Sequence, residues 1–79
     1  MLKRTRTKLT EDNTIMVDGV PVAVQWNDVR TGTSFFIPCT NPVKVKKEVQ
    51  KHFARLEWRM WSSIRVENDY YGIRIWRIL

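Results

Sequence analysis

Ser63-Ile64-Arg65-Val66-Glu67, followed after a short break by Gly72-Ile73-Arg74-Ile75-Trp76-Arg77, reads as two strands of a β-hairpin. Apolar and polar residues alternate in each run, the period of a strand buried on one side. Pairing Glu67 with Gly72 across a turn at 68–71 sets Val66 against Ile73 and Ile64 against Ile75 on one face. Arg65 then falls opposite Arg74 on the other face, with Trp76 close by. Like charges directly opposed on a sheet are destabilising. Two arginines beside a tryptophan therefore point to a surface kept for an anion with an aromatic part, nucleic acid foremost.

Upstream, Ile15-Met16-Val17 and Val20-Pro21-Val22-Ala23-Val24-Gln25-Trp26 flank Asp18-Gly19. Asp-Gly between alternating apolar runs is a strong two-residue hairpin signal, because the turn needs positive φ at both positions. The register sets Val17 against Val20 and Ile15 against Val22, with Val24 and Trp26 continuing that face. Pro21 lacks a backbone donor and belongs at an edge or bulge. After a loop at 27–32, Thr33-Ser34-Phe35-Phe36-Ile37 reads as a third strand, closed by Pro38. Asn41-Pro42 then opens a helix, Asn as the cap and Pro in the first turn. Val45, Val49, Phe53, Leu56 and Met60 recur at helical spacing, with His52 beside them. The helix is expected from Pro42 to about Glu57, with residues 58–61 as a last turn or a link; no glycine marks its end. The order β-β-β-α-β-β predicts an α+β fold: an antiparallel sheet of about five strands with the helix packed on one face.

Seventy-nine residues allow one domain with a small core. The expected organisation is a basic arm at 1–13, flexible or frayed, and an α+β domain at 14–79. Hydrophobic content of 43% excludes a disordered composition. Fourteen Lys and Arg against eight Asp and Glu give a net charge of +6. A field of that sign attracts polyanions, although it also serves solubility alone. Cys39 is the only cysteine, so no intrachain disulfide forms and nothing ties the chain to an oxidising compartment. No apolar run approaches the ~20 residues of a membrane span. Met1 to Lys8 has basic residues with no apolar stretch behind them, unlike a secretory signal. A cytoplasmic protein without membrane contact is expected.

Lys44, Lys47, Lys51 and Arg55 are spaced three or four apart and share one helix face over about 16 Å. Arg59 extends the row, and Glu48 interrupts it only at the side. Such a row suits phosphate contacts that position a backbone without reading sequence; the plainer alternative is a solvated face opposite the apolar stripe. Arg65 and Arg74 can grip phosphate bidentately, and Trp76 can stack a base. The alternative there is a packed Trp76 with both arginines paired to Glu57, Glu67 or Asp69. Helix and hairpin cations are expected on opposite faces if the helix covers the apolar side of the sheet. Tyr70 and Tyr71 in the turn suit recognition of bases or proteins.

No enzyme is expected. His52 is the only histidine and lies by the core face, and one Cys with one His does not build a typical zinc site. Cys39, beside a helix start, is a buried structural thiol or an activated one. Glycines 19, 32 and 72 all read as turn residues, so no phosphate loop is present. No metal and no cofactor is expected.

Gly32-Thr33-Ser34-Phe35-Phe36-Ile37-Pro38, the basic helix, and Gly72-Ile73-Arg74-Ile75-Trp76-Arg77-Ile78 together resemble small uncharacterised accessory proteins of tailed bacteriophages. The resemblance covers about the last fifty residues. It implies a phage accessory protein in a bacterial cytoplasm, transfers no activity, and marks Arg74, Trp76 and Arg77 as residues to test. Two functions follow as expectations. One is a non-enzymatic nucleic-acid-binding protein, DNA favoured, of low sequence specificity. The other is a protein-binding effector that blocks or redirects a host or phage enzyme, using Trp, Tyr and Arg as hot spots or a free sheet edge near Pro21 or Leu79. A homodimer is a third arrangement.

Overall fold

A computed structural model of the chain describes residues 13–79, and Leu2 and Lys3 by their backbone. Among the described residues the strands are β1 (Leu2–Lys3), β2 (Thr14–Val17), β3 (Val20–Val24), β4 (Ser34–Pro38), β5 (Met60–Glu67) and β6 (Tyr70–Arg77), with one α-helix, α1 (Pro42–Arg55), between β4 and β5. The fold is α+β, as the alternation of strand and helix periods predicts. The expected arm at 1–13 falls largely outside the described residues; Leu2–Lys3 pairs antiparallel with β3.

The expected single sheet is two. One is ordered β1-β3-β2 and the other β4-β6-β5, both antiparallel. The reason lies at the outer edge of β2, where α1 takes the place of another strand. Glu48 accepts the N–H of Met16 at 3.2 Å, and His52 Nε2 donates to the carbonyl of Thr14 at 2.9 Å. Side chains of the helix thus satisfy the edge groups that a neighbouring strand would otherwise need.

The first hairpin has the expected register, Val17 with Val20 and Ile15 with Val22. Asp18 and Gly19 both carry positive φ, 52° and 80°. The Asp18 carboxylate also reaches the β4–α1 link. It accepts the N–H of Thr40 at 2.9 Å and its hydroxyl at 2.8 Å, and those bonds hold its pKa below the ordinary value. Asn41 caps α1 by accepting the N–H of Lys44 at 3.3 Å, with Pro42 in the first turn.

Helix α1 stops two residues before the expected Glu57, and does so without glycine. Glu57 itself takes φ 61°. Its N–H reaches Ala54 O at 3.1 Å, and that of Trp58 reaches Phe53 O at 2.8 Å. This is the paired closure of a Schellman end, and the Trp58 ring packs edge-on to Phe53 at 5.4 Å.

The second hairpin differs most from expectation. Its turn is Asn68-Asp69 alone, with φ of 50° and 68°, the geometry of a tight two-residue connection. Glu67 pairs with Tyr70, not Gly72. Ile64 therefore meets Ile73, Val66 meets Tyr71, Arg65 meets Gly72 and Ser63 meets Arg74. The expected opposition of Arg65 to Arg74 does not occur. Both strands are longer than expected, and Met60-Trp61 belongs to β5 and not to the helix or a link.

Ile15, Val17 and Val24 of the first sheet, Phe35, Ile37, Ile73 and Ile75 of the second, and Val45, Val49 and Phe53 of α1 form one buried cluster. Trp26 joins it, stacked on His52 at 4.9 Å and edge-on to Phe53 and Trp58. Cys39 is buried there too; burial, and then the charge of Asp18, pushes its thiol pKa up. Among the described residues no helix is long and apolar enough to cross a membrane.

Candidate nucleic-acid interface

Among the described residues the second sheet has one covered face and one open face. Alternation along β6 sends Ile73 and Ile75 inward to α1 and sends Tyr70, Gly72, Arg74 and Trp76 outward. The pairing carries this across the sheet. Ser34, Phe36 and Pro38 of β4 and Trp61, Ser63, Arg65 and Glu67 of β5 share the outward face.

Trp61 and Trp76 are directly paired neighbours on this face, and Trp61 is 65% exposed. Phe36 lies opposite Arg74, whose guanidinium sits 5.9 Å from the ring centre. Arg65 places its guanidinium 5.1 Å from the centre of the Trp76 ring. The arrangement is a strip of aromatic rings with two cations over them, a geometry in which cation and ring quadrupole attract.

One carboxylate tempers it. Glu67 takes a bidentate pair from Arg74, with both contacts at 2.6 Å, and lies 3.7 Å from Arg65. Arg74 also donates to Ser34 Oγ at 2.7 Å. The Arg74 hydrogen bonds hold the Glu67 carboxyl below its ordinary pKa, and the same contact raises that of Arg74, so both stay ionised. Arg74 is thus a positioning element fixed in the sheet, and Arg65 is the more exposed of the two cations.

The remaining expected residues lie elsewhere. Lys44, Lys47, Lys51 and Arg55 are all exposed on α1, opposite its buried Val45, Val49 and Phe53. Lys51 is paired with Glu48 at 3.0 Å, and Arg55 donates to His52 Nδ1 at 3.1 Å. Both the helix and the second sheet face the common core, so the lysine row and the aromatic strip point to opposite sides of the molecule. Arg59 is exposed in the link before β5, with its backbone bonded to Ile78 and Leu79. Arg77 turns inward: Nη1 donates to Val29 O at 2.8 Å, and the guanidinium lies 3.7 Å from the Trp58 ring centre. It fastens the end of β6 to the loop after β3.

Trp61 and Phe36 are members of the strip that sequence reasoning overlooked. The signal was present in Asn68-Asp69. Two adjacent residues able to adopt positive φ fix the register in which Trp61 meets Trp76.

Among the described residues no group of His, Cys, Asp and Glu is gathered to hold a metal ion. Compared with family models, with curated proteins and with solved structures, the chain has no match.

Proposed function

We propose that this chain is a non-enzymatic nucleic-acid-binding protein that lays single-stranded nucleic acid, DNA in the first instance, across the open face of the second sheet. The observation that carries this reading is the Trp61–Trp76 pair, on a face that none of the described residues covers, with Arg65 over one ring. Every base has a π-face, so stacking on such a platform tolerates any sequence, and a guanidinium beside it serves phosphate or base. The net charge of +6 adds long-range attraction. The lysine row of α1 contributes to that field from the far side. The resemblance to phage accessory proteins extends the proposal to a phage-encoded protein working in a bacterial cytoplasm.

Quenching of tryptophan fluorescence by an unstructured single-stranded oligonucleotide, at several salt concentrations, tests it. Trp61→Ala and Trp76→Ala should each weaken binding by about 1–3 kcal/mol, with the circular-dichroism spectrum unchanged for the exposed Trp61. Affinity unaltered by either substitution rejects the open face as the site.

A further inference from the structure

The open edge of β5 has the composition and the charge order of a strand that pairs with itself. In the second sheet, ordered β4-β6-β5, β5 is the outer strand, and among the described residues nothing pairs with its other side. Natural edge strands are short, or are guarded by Pro, by charged side chains, Lys above all, or by a bulge; the two charges of β5, Arg65 and Glu67, sit 3.7 Å from each other. β5 runs for eight residues, Met60 to Glu67, with no Pro and no Lys, and exposes Trp61 at 65%, Ile64 at 48% and Val66 at 64%.

Backbone geometry decides which groups are free. Glu67 and Tyr70 flank a two-residue turn and exchange both of their hydrogen bonds. Alternation then directs Trp61, Ser63 and Arg65 toward β6. It leaves the N–H and C=O of Ser62, Ile64 and Val66 aimed at the free edge.

We propose that two copies of the chain associate by antiparallel pairing of β5 with β5 about a two-fold axis at Ser63, making one six-stranded sheet. In an isologous contact residue i meets j and j meets i, so the axis fixes every pair. With the axis at Ser63, Trp61 lies opposite Arg65 of the second copy, Arg59 opposite Glu67, and Met60 opposite Val66. Ser62 and Ile64 exchange the central hydrogen bonds. Arg65, already over Trp76 of its own chain, then meets a second indole. Moving the axis to Ser62 sets Arg59 against Arg65, a like-charge opposition. Moving it to Ile64 sets Trp61 against Glu67 and removes the Arg59–Glu67 match. Charge complementarity therefore selects a second copy as the occupant and Ser63 as the centre. The outward faces of the two copies become continuous, which joins the two Trp61–Trp76 platforms. The association itself needs no nucleic acid.

Sedimentation of the purified chain, free of nucleic acid, tests the association. The expected species has twice the 9.5 kDa chain mass and dissociates on dilution. Ser62→Pro removes a donor at the free edge and none of the bonds to β6, so that variant should sediment at the single-chain mass. Under mild oxidation Ser63→Cys should cross-link to a covalent dimer, because directly opposed residues of a non-hydrogen-bonded pair lie within disulfide reach. Ile64→Cys should not. A wild-type chain that sediments at 9.5 kDa across the concentration series overturns the proposal. So does cross-linking of Ile64→Cys in preference to Ser63→Cys.

Discussion

His52 is 7% exposed, and the bond that its Nδ1 accepts from Arg55 requires a neutral ring. Nε2–H donates to Thr14 O, Nδ1 accepts from Arg55, and the ring stacks on Trp26. Burial is the main cause of its lowered pKa. Arg55 and Lys51 add to the lowering, while the Thr14 carbonyl and Glu48 oppose it. The native state therefore stays deprotonated where the unfolded chain, with a value of 6.5, takes up a proton. Unfolding then binds protons, and stability falls as pH drops below about 6.5 and on toward the lower native value. Thermal melts over that range should show a declining midpoint, and His52→Gln should flatten the decline. The carboxyls of Asp18, Glu48 and Glu67, also held low, act in the same direction but only at more acidic pH, below their ordinary values of 3.8 to 4.5. A midpoint that holds level from neutrality down through the histidine range would contradict the assignment. That His52 borders the core was legible from its place beside Val49 and Phe53. That it caps a β-strand was not, because its partner Thr14 lies thirty-eight residues away.

At the scale of the element, the turns made the difference between a correct and an incorrect register. Asp18-Gly19 announces itself, since glycine accepts positive φ without steric cost. Asn68-Asp69 achieves the same geometry with two side-chain-bearing residues, so the glycine at 72 drew the turn toward itself. In the structure Gly72 serves a different need. A Cβ there would fall on the carbonyl oxygen of Ile37 and 2.8 Å from Pro38 Cα, so glycine lets β4 approach β6. Gly72→Ala should cost about 1–3 kcal/mol or more in a denaturant titration, as overpacking does. Asp69→Gly should act oppositely. It relieves a positive φ of 68° and should stabilise the hairpin by a few tenths to about 1 kcal/mol. A destabilised Asp69→Gly would show that the side chain matters more than the backbone at that position. The end of α1 follows the same pattern: its start was plain from Asn41-Pro42, while its stop rests on Glu57 in a conformation that no sequence rule assigns to glutamate.

Across the whole molecule, charge is divided between two sides. The α1 row faces away from the aromatic strip, so its lysines act on a polyanion bound at the strip mainly through the field. Lys44→Glu combined with Lys47→Glu avoids Lys51, which is already paired with Glu48. This double reversal should slow association and shorten the range over which salt weakens binding, while leaving base stacking at Trp61 and Trp76 in place. Stopped-flow fluorescence at several salt concentrations separates the two effects; complete loss of stacking in that variant would place the ligand on the helix instead. Composition, the alternating strand periods, the helical stripe and the Asp-Gly turn determined the α+β class, the basic character and the location of α1, because each is a local property of neighbouring residues. Tertiary structure alone decided that there are two sheets, that Arg74 is held by Glu67, and that Arg77 is held by the carbonyl of Val29. Those outcomes depend on which distant groups reach an edge, a carbonyl or a carboxylate first. Competition of that kind is settled only when the packed chain brings all the contenders together.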